Sequence, residues 1–280
     1  MAPANPQPKV LLFDIGGVCV LSPFQAILDY ELSHSIPPGW INTCISKSSP
    51  NGYWQRLERG ELPMDTHFFR GFTQDLHSAS LWDTFYAQAR TRDPSLPATT
   101  PPLPRIDGEQ LFWSMMTAAR HPDPWMFPAL KKLRASGRYI LAALSNTVIY
   151  PSDHPLATAH DDVRAVFDLF ISSAHVGMRK PEPRIYDLAL RELDRFAREN
   201  VGRDDRDTRG WERGVSAEEV VFLDDIGENL KAAKARGFRT IKVHLGRAFE
   251  AVDQLEELTG LKLAGDHPRI AVMPKTNAKL

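Results

Sequence analysis

The 280-residue chain has few cysteines and almost no net charge. Its two cysteines, Cys19 and Cys44, show no metal-ligand spacing, which argues against a disulfide scaffold and favours a reducing compartment. Lys and Arg total 34 against 35 Asp and Glu, so the formal net charge is -1. We therefore expect neither nucleic acid nor an anionic membrane as a partner.

Long apolar runs are missing as well. No segment approaches the run of about 20 apolar residues that crosses a bilayer, and Met1–Pro6 carry no secretory pattern. Hydrophobic residues still make up 42% of the chain, which is enough to bury a full core. The composition predicts a soluble globular protein that stays inside the cell, as one large domain or as a core with a smaller domain.

Five short segments that read as strands alternate with helical patterns along the chain. They lie near residues 9–14, 139–145, 169–173, 220–223 and 240–244. Alternating strands and helices predict an α/β protein with a doubly wound parallel sheet. About 130 residues separate the first two strands, far more than one crossover helix needs. A second folding unit is therefore expected between them.

The inserted unit is predicted to be helical and to span residues 21–120. Helical patterns with many aromatic residues occupy Gln25–Ser35, Trp40–Ser46, Tyr53–Arg59, Met64–Leu76, Ser80–Thr91 and Leu111–Ala119. The proline-rich tract Asp93–Pro104 is interpreted as a loop. Residues 1–20 and 121–264 are assigned to the α/β core, and residues 265–280 to a C-terminal tail.

Three later segments have distinct patterns. Glu182–Phe196 carries an apolar stripe that predicts a helix packed on the sheet. Seven basic and seven acidic residues alternate between Arg191 and Arg213, which predicts a solvated, partly disordered insertion. Residues 265–274 are expected to form a loose extension.

Polar residues stand where several predicted strands end, the region in which open α/β sheets bind ligands. They are Asp14, Gly16 and Gly17 after the first strand, Ser145 and Asn146 after the second, Lys180 at a helix start, and Asp224 and Asp225 after the fourth. Each alone has an ordinary explanation as a helix cap, a turn or a surface lysine. As an ordered set they indicate one site.

This ordered set resembles the haloacid dehalogenase-like hydrolase (HAD) superfamily, from about Val10 to Thr259. Within that superfamily, Leu223–Lys231 and Trp54–Leu62 are similar to the branch that contains the phosphatase domain of soluble epoxide hydrolases. The resemblance implies a Rossmann-like α/β core whose inserted helical cap closes over the active site. It also implies a Mg²⁺-dependent phosphatase that acts on a small phosphorylated metabolite through an aspartyl-phosphate.

The resemblance assigns the nucleophile and the metal ligands. Asp14 would attack phosphorus and form the acyl-phosphate. Mg²⁺ prefers carboxylate and carbonyl oxygens, and the ligands would be Asp14, the backbone carbonyl of Gly16 and the acid pair. Asp225 is expected to bind the metal directly, while Asp224 binds it or orients a water molecule.

The same resemblance assigns the residues that bind the phosphoryl group. Ser145 and Asn146 would donate hydrogen bonds from a hydroxyl and a backbone N–H, and Lys180 would supply a fixed positive charge. Gly16 and Gly17 would let backbone amides approach the phosphate without an intervening side chain.

Gly16 is where the chain departs from the family's phosphatases, which usually carry a second aspartate there as general acid. General acids contribute about 10²–10⁴-fold, so the enzyme should be slow on poor leaving groups or specialised for good ones, such as an anomeric or an acyl phosphate. A cap residue could substitute for the acid. The available cap side chains are Glu58, Glu61, Asp65, His34 and His67.

Two other functions remain open at this point. A haloacid dehalogenase needs no proton for its leaving halide, which fits Gly16, but that branch is metal-free and usually replaces the paired acids. A non-enzymatic descendant could instead bind a phosphorylated ligand or partner. Turnover that is lost with Asp14 would separate the enzymes from the binding protein.

The chain ends in Ala278-Lys279-Leu280, a variant of the Ser-Lys-Leu signal read by the peroxisomal import receptor. In a eukaryotic chain this tripeptide predicts import into peroxisomes. In a bacterial chain it has no such meaning, and a cytoplasmic location is expected.

Overall fold

The computed structural model describes residues 7–158 and 161–272. Its centre is a five-stranded parallel sheet of β1 (Val10–Phe13), β2 (Ile140–Ser145), β3 (Leu169–Ser172), β4 (Val220–Asp224) and β5 (Arg239–Lys242). The strands lie in the order β3-β2-β1-β4-β5, so the chain winds outward from β1 to one side and then to the other. The predicted α/β fold with a doubly wound parallel sheet is confirmed.

Strand β1 is completely buried because helices cover both faces of the sheet. Leu11 and Phe13 pack into the core on one face, and Val10 and Leu12 pack into the core on the other. A continuous apolar run suits a parallel strand between two helical layers. This is why the first strand could be recognised without any alternation of polar and apolar residues.

The strand register brings the predicted site residues to one edge of the sheet. Phe13 of β1 lies beside Leu223 of β4, so the residues that follow, Asp14 and Asp224, leave the sheet side by side. On the other side of β1, strand β2 ends with Ser145. Parallel pairing therefore converts a separation in sequence into proximity in space.

Six helices follow β1 and share a hydrophobic core of their own. They are α1 (Pro23–Ser33), α2 (Trp40–Lys47), α3 (Tyr53–Glu58), α4 (Thr66–Asp75), α5 (Ala79–Arg92) and α6 (Gly108–Ala118). Aromatic side chains such as Trp40, Phe68, Phe72 and Phe112 fill that core. Residues 93–107, which include the proline-rich tract, form no helix or strand. The division of the chain into core, cap and tail at the stated boundaries stays a prediction.

The remaining helices belong to the part of the chain that contains the sheet. They are α7 (Met126–Ser136), α8 (Asp161–Arg164), α9 (Ser173–Val176), α10 (Pro183–Glu199), α11 (Gly227–Ala235) and α12 (Phe249–Thr259). Helices α7 and α12 pack on one face of the sheet, and α10 and α11 pack on the other. In the described residues, no helix is both long and apolar enough to cross a membrane.

The solvated character predicted between Arg191 and Arg213 agrees with the structure, in which most of these charged side chains are exposed, but the segment is more ordered than predicted. Helix α10 continues into this segment, and Trp211 beyond it is 1% exposed. Arg206 pairs with Asp168 at 2.7 Å, and both side chains are almost completely buried. The alternating charges are therefore largely partnered within the fold, which composition alone does not reveal.

The expectation of a loose extension is wrong for residues 265–272. The indole Nε1 of Trp125 donates to the carbonyl of Pro268 at 3.1 Å, and the N–H of Val272 donates to the carbonyl of Gly246 at 2.9 Å. These contacts hold the segment against the core. The rest of the predicted tail, including Ala278-Lys279-Leu280, lies outside the described residues.

Candidate active site

A cavity of about 740 Å³ opens at the carboxyl edge of the sheet. Its polar end contains predicted site residues from distant parts of the chain, namely Asp14, Gly16, Ser145, Asn146, Lys180 and Asp225. Much of the remaining wall is apolar and comes from the helices after β1 as well as from the core. Representative wall residues are Phe24, Ile27, Trp54, Met115, Val148 and Phe170.

Asp14 follows β1 with both carboxylate oxygens engaged. Oδ1 accepts from the N–H of Ile15 at 2.7 Å, and Oδ2 lies 2.8 Å from Nζ of Lys180. Burial raises the pKa of Asp14 to about 6, with Lys180 opposing the rise and Asp224 adding to it. A buried carboxylate held in place by one lysine has little hydration to lose, a property that suits a nucleophile.

Lys180 is fully buried and bridges two carboxylates. Its Nζ lies 2.8 Å from Asp14 Oδ2 and 2.7 Å from Asp224 Oδ2. Burial alone would lower the pKa of the Lys180 ammonium, but the two carboxylates together raise it above its usual value. The site therefore keeps a permanent positive charge beside Asp14.

The side chain of Asn146 holds the backbone at Lys180. Its Nδ2 donates to the carbonyl of Lys180 at 3.0 Å, and its Oδ1 accepts from the N–H of Lys180 at 2.8 Å. This clamp occupies the amide group of Asn146. The side chain therefore positions the lysine, and the backbone N–H is the group left for the phosphoryl contact expected from the sequence.

The two acids after β4 have different surroundings. Asp224 is 0% exposed and accepts hydrogen bonds from Lys180, from the side-chain amide of Asn229 and from a nearby backbone N–H. Oδ1 of Asp225 is also buried, yet it has no hydrogen-bond partner in residues 7–158 and 161–272. Burial raises the pKa of Asp225 well above its usual range, and the charges of Asp14 and Asp224 add to the rise.

These carboxylates form a cluster that could hold a metal ion. One oxygen from each of Asp14, Asp224 and Asp225 lies within 4.8 Å of the others. An all-oxygen donor set suits a hard cation such as Mg²⁺. Because Asp224 already has protein donors on both oxygens, the free oxygen of Asp225 is the better direct ligand.

Asn229 contributes to the site although the sequence prediction does not include it. It is 2% exposed and its Nδ2 donates to both oxygens of Asp224, at 3.1 and 3.0 Å. The residue lies in the first turn of α11, on the side that faces the sheet. A polar residue on the buried face of the helix that follows the acid pair is the signal that could have identified it.

Positions 16 and 17 differ in whether the structure requires glycine there. Gly17 has a φ of +75°, and a Cβ there would lie 2.3 Å from Oδ2 of Asp225, so the position excludes a side chain. At Gly16 the backbone is not left-handed, and a Cβ would meet Cδ of Pro23 at an ordinary 3.5 Å. The missing acid at residue 16 is therefore not imposed by the local backbone.

Of the five cap side chains considered as replacement acids, Glu58 alone lines the cavity of the described structure. Its carboxylate is held in an ion pair with Arg179 at 2.7 Å and is therefore already engaged. The others are engaged elsewhere: Glu61 pairs with Arg59, Asp65 caps α4, His34 bonds to the Tyr30 carbonyl, and His67 packs against Tyr53.

The fold and the cavity define a class of protein: a doubly wound α/β protein with a helical insertion after β1, and with a carboxylate, a lysine and paired acids at the edge of its sheet. The chain belongs to the haloacid dehalogenase-like hydrolase family, whose model matches residues 8–237. The resemblance inferred from the sequence motifs is confirmed.

Curated proteins with similar sequences include enzymes of several kinds. Acyl-CoA dehydrogenase family member 10 of Mus musculus is 28% identical over 272 residues, which cover 96% of this chain and 21% of that protein. Bifunctional epoxide hydrolase 2 of Sus scrofa is 35% identical over 263 residues, 91% of this chain and 39% of that protein. The chain thus spans about a fifth to two fifths of these two relatives.

A third relative has a similar length. A sesquiterpene phosphatase of Aspergillus oryzae is 24% identical over 253 residues, which cover 90% of this chain and 97% of that protein. Among solved structures, a HAD-family enzyme of Bacteroides thetaiotaomicron in complex with magnesium and inorganic phosphate has a TM-score of 0.43 and 16% identity. That alignment covers 84% of this chain and 93% of the other.

Proposed function

We propose that the protein is a Mg²⁺-dependent phosphatase that hydrolyses a phosphate monoester through a phosphorylated Asp14. The observation that carries this proposal is the distribution of charge in the cavity. The buried ammonium of Lys180 lies 2.8 Å from Asp14, while Asp225 offers a buried carboxylate oxygen without a partner in the described residues. The first group suits an anionic substrate, and the second suits a cation.

The residues present fit a magnesium ion. We assign Asp14, Asp225 and the backbone carbonyl of Gly16 as direct ligands, with Asp224 either binding the ion or orienting a water molecule. The unpartnered Oδ1 of Asp225 supports this assignment because a bound cation would satisfy it. When bound, Mg²⁺ would neutralise the carboxylates and the phosphate, which lets an anionic nucleophile approach an anionic ester.

The residues of this chain then have separate roles in the two chemical steps. A carboxylate oxygen of Asp14 attacks phosphorus, the bond to the leaving oxygen breaks, and the phosphoryl group becomes an acyl-phosphate on Asp14. Water attacks that phosphorus in the second step and releases inorganic phosphate. The hydroxyl of Ser145 and the backbone N–H of Asn146 bind phosphoryl oxygens, and Lys180 balances the developing charge.

We also propose that the organic part of the ester is largely apolar. The cavity wall beyond the polar end carries aliphatic and aromatic side chains, including Ile27, Trp54 and Met115. Burying a hydrocarbon chain against such side chains is favourable. The similarity to a sesquiterpene phosphatase agrees with this substrate class.

Two other functions can be distinguished from this proposal by experiment. A haloacid dehalogenase would turn over a haloacid in the presence of a chelator, and the unpartnered acid of the pair argues against it. A protein that only binds a phosphorylated ligand would show no turnover that depends on Asp14.

The experiment is a panel of phosphate esters, assayed with Mg²⁺ and with a chelator, for the wild type and for Asp14→Asn. Linear alkyl phosphates of increasing length and sugar phosphates form its two arms. We expect activity that requires Mg²⁺ and Asp14 and that increases with chain length. Haloacid turnover in chelator would contradict the proposal, and higher kcat/KM for sugar phosphates would contradict the apolar substrate.

We propose, from the sequence alone, that Ala278-Lys279-Leu280 binds the peroxisomal import receptor in a eukaryotic host. A fluorescent reporter fused upstream of the intact tail should appear in puncta that are lost when Leu280 is deleted. Diffuse fluorescence with the intact tail would refute the proposal.

A further inference from the structure

Hydrolysis of an alkyl phosphate requires a proton at the leaving oxygen, and Gly16 cannot supply it. Glu58 is a poor substitute because its carboxylate is directed to the Arg179 guanidinium at 2.7 Å. If the protein is a phosphatase, its proton donor must come from another part of the cavity.

Three side chains on the core side of the cavity form a continuous chain of hydrogen bonds. Oγ1 of Thr147 lies 2.5 Å from Oγ of Ser172, which lies 2.7 Å from Nδ1 of His175. All three residues line the same cavity as Asp14. Thr147 directly follows the phosphate-binding pair, Ser172 is buried at the end of β3, and His175 is exposed to solvent.

The hydroxyl of Ser172 is not used in the way its position would suggest. Ser172 is the N-cap residue of α9, yet its side chain makes no capping hydrogen bond to that helix. It lies instead between Thr147 and His175. The N–H of Thr147 donates to Oγ of Ser173 at 2.8 Å, and that hydroxyl donates to the carbonyl of Glu58 at 2.6 Å, which fixes Thr147 in place.

We propose that Thr147, Ser172 and His175 are a proton relay that replaces the missing acid at residue 16, an inference that rests on the proposed phosphatase function. As the bond between phosphorus and the leaving oxygen breaks, that oxygen takes the Thr147 hydroxyl proton. Thr147 takes the proton of Ser172, and Ser172 takes the Nδ1 proton of the His175 imidazolium. When water attacks the phosphorylated Asp14, the proton it releases returns along the same path.

His175 is suited to exchange protons between the relay and solvent. An imidazole can both donate and accept a proton through its ring nitrogens, and the side chain of His175 is exposed to solvent. Glu58 and Arg179, which line the same cavity, pair with each other, so their charges largely cancel. The other charged side chains that line the cavity are Arg164, Glu228 and the buried group of Asp14, Lys180 and Asp225.

The test compares an alkyl phosphate, which has a poor leaving group, with nitrophenyl phosphate, which needs little protonation. His175→Gln keeps a side chain that can hydrogen-bond to Ser172 but cannot release a proton. We expect kcat on the alkyl ester to fall by about tenfold to a hundredfold, with KM and nitrophenyl phosphate turnover nearly unchanged. Thr147→Val should show the same selectivity, and the exposed His244→Gln serves as a matched control.

A rescue experiment separates proton donation from a structural role. Gly16→Asp, introduced into His175→Gln, should restore kcat on the alkyl ester because it supplies another donor. Equal losses on both esters, or no loss on the alkyl ester, would overturn the relay. Absence of Asp14-dependent turnover on either ester in the wild type would instead overturn the proposed phosphatase itself.

Discussion

Gly16 and Gly17 are adjacent residues that should respond to substitution in opposite ways. A Cβ at residue 17 would clash with Asp225 at a positive φ, whereas a Cβ at residue 16 meets only an ordinary contact. We expect Gly17→Ala to destabilise the protein by about 1–3 kcal/mol and to weaken Mg²⁺ binding. Gly16→Ala should change neither by much. Urea unfolding and Mg²⁺ titration of the pair measure the difference, and equal effects would contradict it.

Gly16→Asp tests whether a proton donor limits the reaction. The open backbone at residue 16 should accept the carboxylate, and turnover on alkyl phosphates should rise more than turnover on nitrophenyl phosphate. With the relay in place the gain should be smaller than in His175→Gln, where it could reach about tenfold to a hundredfold. A loss on every ester in a folded, Mg²⁺-binding variant would mean that residue 16 is glycine to admit the substrate.

The acid pair should divide into a metal ligand and a structural partner. Asp225→Asn should weaken Mg²⁺ binding more than Asp224→Asn, because Asp225 holds the free oxygen. Asp224→Asn should instead destabilise the fold, by about 3–5 kcal/mol, because it removes a buried partner of Lys180. Isothermal titration and urea unfolding of both variants check this, and equal losses of affinity would leave the assignment without support.

At the scale of elements, Glu58 at the end of α3 contacts the core in two ways. The carbonyl of Glu58 accepts from Ser173, and its carboxylate pairs with Arg179 beside Lys180. Glu58→Gln should loosen this contact and raise KM by severalfold, since a charge-assisted bond contributes about 1.5–3 kcal/mol. Hydrogen exchange should increase in residues 53–58. Unchanged KM and exchange would show that the pair does not hold α3 in position.

Strands β1, β2 and β4 could be predicted because they are short, buried and apolar, and because polar residues stand at or directly after their ends. The packing of the segment after α10 could not be predicted, because its buried anchors, Trp211 and the ion pair of Arg206, involve distant parts of the chain. Asp168, which pairs with Arg206, lies in another part of the chain, and no local pattern connects the two. The same limit applies to residues 265–272, whose packing depends on Trp125.

The composition of the candidate site could be predicted, but not how its members interact. The order of motifs brought Asp14, Lys180 and the acid pair together. The sequence could not show that both carboxylate oxygens of Asp224 accept hydrogen bonds while one oxygen of Asp225 accepts none. That difference depends on where α11 places Asn229. It also could not exclude four of the five cap acids, since helix patterns do not say which helix faces the cavity.

At the scale of the whole molecule, Mg²⁺ should stabilise the protein in a pH-dependent manner. Burial raises the pKa of Asp14 to about 6 in the folded protein, against a usual value of 3.8. Protonation of this carboxylate therefore stabilises the folded state. That contribution is present below about pH 3.8 and is lost as pH rises through 6. Mg²⁺ binds ionised carboxylates, and burial raises the pKa of Asp225 as well, so the rise in Tm on adding Mg²⁺ should vanish below pH 4 and increase as pH rises through 6 and beyond. A rise in Tm on adding Mg²⁺ that does not change with pH would contradict this prediction.

The unpartnered oxygen of Asp225 has a consequence for the molecule without metal. Oδ1 of Asp225 is buried without a partner in the described residues, and the carboxylate lies beside those of Asp14 and Asp224, so its charged form is unfavourable unless a cation is bound. Asp225→Asn should therefore raise Tm in chelator, by about 2–4 °C for each kcal/mol recovered, while losing the further rise that Mg²⁺ gives the wild type. A lower Tm in chelator would refute this. Selection for stability and selection for activity would then act on this residue in opposite directions.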